Sequence, residues 1–220
     1  MGGMMTKNLK KKTVIISCAT AVIFAFALAI IVYFSFDFFA FPFIKLPDNI
    51  SKLKDCGVYK YADQNYLPRV CTSRVGKNLE SINAIVIHYI GNPGTSAEQN
   101  RNYYDNAGVT VNSHFIIGLD GEIIQCLPLW ERSSASNDRN KDTISVEVCH
   151  PDESGKFTDE SYSSLVDLCA WLCDVCGFDS DGIIRHHDIT GKICPKWFVE
   201  HEDAWLEFKK DVDLRLENGK

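Results

Sequence analysis

The 220-residue sequence predicts an α/β domain, a single mixed β-sheet flanked by helices, preceded by one N-terminal transmembrane helix. Three observations carry that reading. Val14 to Phe36 holds no charged residue. Beyond it, short β-branched apolar runs alternate with segments of helical periodicity. One Asp-Gly dipeptide, Asp120-Gly121, joins two apolar runs as a hairpin would.

The charge-free run is long enough, at about 1.5 Å per residue, to make about 35 Å of helix and so cross a bilayer with some tilt. Lys7, Lys10, Lys11 and Lys12 precede it and Asp37 follows, which places the N-terminus in the cytoplasm and the rest outside. A cleaved secretory signal is the competing reading. Its apolar region would be shorter and would end in small residues, whereas this run ends among Tyr33, Phe34 and Phe36. The expected organisation is a basic N-terminus over 1–13, an anchor over 14–36, a stalk over 37–73, a catalytic-sized domain over 74–212 and a tail over 213–220. Pro42, Pro47 and Pro68, with few periodic apolar positions between them, suggest the stalk.

Within the domain, "NAIVIHYIG" (83–91) reads as a buried strand stopped by a Gly-Pro loop, with His88 near its C-terminal end. Ser96 and Gln99 form a capping box that opens a helix running toward Gly108. "SHFIIGL" and "EIIQCL" flank Asp120-Gly121 as the hairpin. "TISVEVCH" reads as a strand with Ile144, Val146 and Val148 on one face and Glu147 on the other. From Thr158 to Cys176, Leu165, Leu168, Leu172 and Cys176 recur at helical spacing, acidic residues open the segment and Gly177 closes it. "GIIRHH" reads as a last short strand and "EDAWLEFKKDVDLRL" as a closing amphipathic helix.

The net charge of −6, with no basic cluster beyond the N-terminus, argues against nucleic acid as a partner. Nine cysteines in an exported chain raise the question of disulfides. Cys169, Cys173 and Cys176 follow helix spacing and read as small core side chains, although "CAWLCDVC" also matches the three-cysteine pattern of an iron–sulfur loop. Cys56 and Cys71 are the one pair considered for a bridge.

The chemistry concentrates in "RHHDITGKICPKW" (185–197). His88, His186 and Cys194 would give zinc three ligands with a fourth position open, as catalytic zinc requires. No C-x-x-C pairs with an H-x(3–5)-H, which argues against a structural finger. On residue types alone, ordinary polar histidines and metal ligands both remain open readings.

"AIVIHYIGNPGTSAEQNRNYY", "SHFIIGLDGEIIQCLPL", "DTISVEVCHP" and "IIRHHDITGKICPKWF" stand in the order and spacing of the zinc-dependent N-acetylmuramoyl-L-alanine amidases. That family includes phage endolysins and is similar to peptidoglycan-recognition proteins; the resemblance covers about residues 74–205. It implies Zn²⁺ held by His88, His186 and Cys194, with Glu147 as the catalytic glutamate and Lys192 as the lysine beside the metal. It leaves His187 as a neighbour of the site; His114, which opens an otherwise apolar strand, reads as structural. Some relatives carry a tyrosine where this chain has Ser113, so that tyrosine's role is absent here. The implied activity is hydrolysis of the amide between the muramoyl lactyl group and L-alanine in peptidoglycan, by an enzyme anchored at the outer face of the cell membrane. Zinc would acidify a water and polarise the carbonyl, Glu147 would shuttle the proton and Lys192 would stabilise the oxyanion. The rival is a recognition module that keeps the fold without catalysis. Retention of Cys194, Glu147 and Lys192 favours the enzyme.

Overall fold

Two six-residue strands, β2 (Ala84–Tyr89) and β5 (Thr143–Val148), form the centre of the sheet. Their Val- and Ile-rich sequences are buried almost throughout, as parallel strands covered on both faces require. The computed structural model describes residues 58–219 together with Ile50 and Leu53. The span expected at 14–36 lies outside the described residues, and among those described no helix is long and apolar enough to cross a membrane.

The other strands are β1 (Ala62–Gln64), β3 (Phe115–Ile117), β4 (Ile123–Gln125) and β6 (Ile183–Arg185). They complete a six-stranded sheet in the order β1-β4-β3-β5-β2-β6, in which β3 and β4 pair antiparallel and every other neighbouring pair is parallel. The β3–β4 hairpin turns where Asp120-Gly121 predicts. Gly118 and Glu122 close a three-residue loop in which Gly121 alone takes positive φ, at 79°. It is therefore a type I turn with a glycine bulge, and not a two-residue turn with two positive φ values.

Helix α1 (Ala97–Tyr104) begins with the expected capping box between Ser96 and Gln99, but ends four residues short of Gly108. Helix α2 (Asp159–Cys176) starts at Thr158, whose hydroxyl accepts from the Ser161 N–H, and stops at Gly177 with φ 75°. Two short helices, α3 (His186–Thr190) and α4 (Lys196–Glu200), lead into α5 (Glu202–Asn218). Residues 213–218, expected as a tail, are thus the last turns of α5.

Helices α2 and α5 cover one face of the sheet. Leu165, Leu168, Leu172, Phe208 and Val212 pack there with Ile85, Ile87, Ile144 and Val146 in one apolar cluster. Cys169 and Cys173 belong to the same cluster as free thiols, which agrees with the core reading and leaves no loop for an iron–sulfur cluster. On the opposite face Ala97 and Tyr104 of α1 pack with Ile116, Ile124, Leu127 and Cys149.

The described part of the segment expected as a stalk, Ile50, Leu53 and residues 58–73, packs as part of the domain instead. Strand β1 pairs with β4 along the sheet edge, and Ile50, Leu53, Tyr59 and Leu67 are all buried. Arg101 of α1 donates to the carbonyls of Asn65 and Tyr66, and Arg74 forms a buried bidentate pair with Glu131. The domain boundary therefore lies upstream of residue 74. Cys71 is a free thiol 3.4 Å from the Ser73 hydroxyl, while Cys56 lies outside the described residues.

Candidate metal centre

Sheet register assembles the centre. β2 and β5 align so that His88 sits beside Glu147, and β2 and β6 align Ile87 with Arg185, so the residue after β6 arrives next to His88. All three strands run parallel, and their C-terminal ends form the crevice where open α/β sheets place ligands.

His186 follows directly on the C-terminal end of β6, where it is the first residue of α3 and not a continuation of the strand. Arg185 sets up that turn: its backbone N–H donates to Asp188 Oδ2 at 2.8 Å, and its guanidinium reaches Asp188, Glu202 Oε2 at 2.6 Å and the Phe198 carbonyl at 3.0 Å. The return loop begins at Gly191, φ 75°, which caps α3. The His187 N–H then donates to the Cys194 carbonyl at 2.9 Å, and His187 Nδ1 pairs with the Lys192 carbonyl at 3.0 Å. A helical turn and this folded-back loop together explain the eight-residue spacing between His186 and Cys194. His187 is accordingly a loop clamp, not a member of the cluster.

One ligand atom from each of His88, His186 and Cys194 lies within 4.8 Å of the others, and all three residues are buried. Cys194 Sγ is 3.9 Å from His88 Nδ1, and the two imidazoles stand with ring centres 4.6 Å apart. Glu147 Oε1 lies 4.0 Å from His88 Nδ1. The other oxygen, Oε2, is buried without a hydrogen-bond partner. These groups and Lys192, which is exposed at the rim, line a cleft of about 810 Å³.

Burial, joined by repulsion from His186 and Lys192, holds His88 well below the usual histidine range, and burial also lowers His186. Burial and the neighbouring Glu147 push the Cys194 thiol up to about 12, against a hydrogen bond from the Tyr89 backbone and the charge of Lys192. Glu147 itself is raised to about 8 by burial, with Lys192 pulling the other way. Each group thus prefers its neutral form in the protein alone. A divalent cation at their centre would supply the charge that stabilises a thiolate and a carboxylate there. Two imidazoles and one thiol are also the donor types that zinc takes. The residues present therefore fit the metal.

Two contacts escape sequence reading. Ser136 Oγ lies 3.3 Å from His88 Nε2, and Asn137 Oδ1 lies 2.9 Å from His186 Nε2. Both residues come from "SSASNDRN", which carries no periodicity or spacing signal. At the position of Ser113, the hydroxyl meets the phenol of Tyr104 at 3.3 Å, so a tyrosine from α1 enters the cleft wall where the strand supplies none. His114 is fully buried and accepts from the Ser145 N–H while pairing with the Glu131 carbonyl at 2.8 Å, a structural role.

Comparison with known proteins agrees with this geometry. The sequence profile of the N-acetylmuramoyl-L-alanine amidases (Amidase_2) matches residues 78–197. The N-acetylmuramoyl-L-alanine amidase BlyA of Bacillus subtilis (strain 168) is 31% identical over 173 residues, covering 69% of this chain and 47% of that protein. CwlL of Bacillus licheniformis, of the same name, is 29% identical over 163 residues, covering 66% of this chain and 45% of that protein. The chain thus spans about half the length of these relatives. The catalytic domain of XlyA shares the fold at TM-score 0.59 and 24% identity, covering 68% of this chain and 97% of that one. PlyL shares it at TM-score 0.61 and 22% identity, covering 69% and 96%. With its profile match over more than half its length, the chain belongs to the N-acetylmuramoyl-L-alanine amidase family.

Proposed function

We propose that the protein hydrolyses the amide between the lactyl group of N-acetylmuramic acid and L-alanine in bacterial peptidoglycan, in a zinc-dependent reaction. The observation that carries this reading is the convergence of His88, His186 and Cys194 within 4.8 Å, with the Glu147 carboxyl at its edge, in a chain of this family.

His88, His186 and Cys194 would hold the metal. When bound there, zinc supplies Lewis acidity toward the scissile carbonyl and toward the attacking water. Glu147 takes a proton from that water and returns it to the departing amine, because an amide anion is too basic to leave unprotonated. Its unpartnered Oε2 leaves one carboxylate oxygen free for that exchange. Lys192 places an ammonium at the cleft rim, where it offsets charge developing on the carbonyl oxygen. Residues 14–36 anchor the chain in the cell membrane and the domain faces the wall; that part of the reading rests on their charge-free sequence and the lysines before it.

Digestion of purified peptidoglycan tests the activity. The expected products are stem peptides with a newly free L-alanine amino terminus, identified by mass spectrometry and abolished by a chelator. Tight wall binding without release of stems would assign the domain to recognition instead.

A further inference from the structure

We propose that Ser136 and Asn137, the N-cap and first residue of the short 3-10 helix (Asn137–Lys141) before β5, are the positioning pair of the metal centre, one for each histidine, and set which ring nitrogen faces the metal. The inference rests on the zinc reading above and goes beyond its ligand set.

An amide oxygen can only accept, so Asn137 Oδ1 at 2.9 Å requires the proton of neutral His186 to sit on Nε2, which leaves the lone pair on Nδ1. Ser136 Oγ occupies the same nitrogen of the other ring, and His88 Nδ1 is the atom that faces Cys194 Sγ and Glu147 Oε1. Both rings are therefore held from behind through Nε2, and both offer Nδ1. Partners of this kind orient metal-bound histidines in general and typically change metal affinity by about 10–100-fold when removed.

The loop is built to hold this arrangement. Asn137 has φ 51°, the single non-glycine positive φ among the described residues, in a region that asparagine enters more readily than most side chains. A left-handed residue turns the chain so that two neighbouring side chains reach two different rings. Asn140 Oδ1 accepts from the Ser136 N–H at 2.6 Å and Asn112 Oδ1 from the Ser134 N–H at 2.8 Å, pinning the loop on both sides of Ala135. Asn137 is solvent-exposed, so its replacement leaves the core intact.

The test is Zn²⁺ affinity of the full chain at fixed pH, measured by competition with a chromophoric chelator after metal removal. Asn137→Gly keeps the left-handed backbone and deletes only the acceptor. Asn137→Asp keeps an acceptor oxygen in a residue that also tolerates that backbone. We expect Asn137→Gly and Ser136→Ala each to lose about 10–100-fold in affinity, Asn137→Asp to return to the parent's range, and the zinc-free unfolding midpoint of Asn137→Gly to match the parent's. Parent-like affinity in Asn137→Gly, or an Asp variant as weak as the Gly variant, overturns the positioning role alone. A parent chain that takes up no zinc overturns this role and the zinc reading together.

Discussion

Removing residues 46–73 should unfold the domain, even though every residue of the metal centre lies downstream. Compare a chain beginning at Leu46, where the compact unit starts, with one beginning at Arg74. The shorter chain loses four buried apolar side chains: Ile50, Leu53, Tyr59 and Leu67 are 0, 1, 6 and 1% exposed. At about 2 kcal/mol for each such side chain, the loss is on the order of 8 kcal/mol. It also loses the β1–β4 pairing and the carbonyls that satisfy Arg101, which is only 4% exposed. A domain of this size is stable by about 5–15 kcal/mol, so the loss consumes most or all of it. Guanidinium titration followed by near- and far-ultraviolet circular dichroism reads the outcome. The chain from Leu46 should unfold cooperatively and the chain from Arg74 should show no cooperative transition. Equal midpoints and equal slopes would refute the assignment of this segment to the core.

Further outcomes follow from the same geometry. Glu147→Gln should keep stoichiometric zinc and lose about 10²–10⁴-fold in turnover, measured as release of stem peptides. Cys194→Ala should lose the metal itself, detected by elemental analysis after dialysis. Glu131→Ala strands the buried Arg74 guanidinium and should cost about 3–5 kcal/mol in denaturant titrations, whereas the exposed Lys192→Ala should leave stability unchanged and lower kcat. Burial, with Asp167 nearby, raises the Tyr59 phenol from 10.0 to about 12, so the unfolded chain ionises first as pH rises and stability falls across that interval. Tyr59→Phe should flatten the pH 10–12 portion of a stability profile relative to the parent.

The sequence makes the central elements legible because their signals are local. β2 and β5 are β-branched runs, and α2 carries both its cap at Thr158 and its stop at Gly177. The centre is legible for a different reason: His88, Glu147, His186, Lys192 and Cys194 lie within motifs whose order and spacing mark a family. What stays hidden depends on partners far along the chain. β1 is Ala-Asp-Gln, without alternation or β-branching, and becomes a strand because β4 offers it an edge. "IIRHH" continues a strand by composition, yet the strand stops at Arg185, whose backbone stays extended and donates its N–H to the Asp188 carboxylate, capping a helix that begins at His186. Ser136 and Asn137 carry no motif, and what marks them is proximity to rings 48 and 49 positions away in the chain.

X-ray absorption at the zinc edge, on the metal-loaded chain, tests the convergence of these side chains most directly. The account predicts one sulfur neighbour at about 2.3 Å, with the remaining neighbours nitrogen or oxygen at about 2.0–2.1 Å. A spectrum without sulfur, or with more than one, would contradict it.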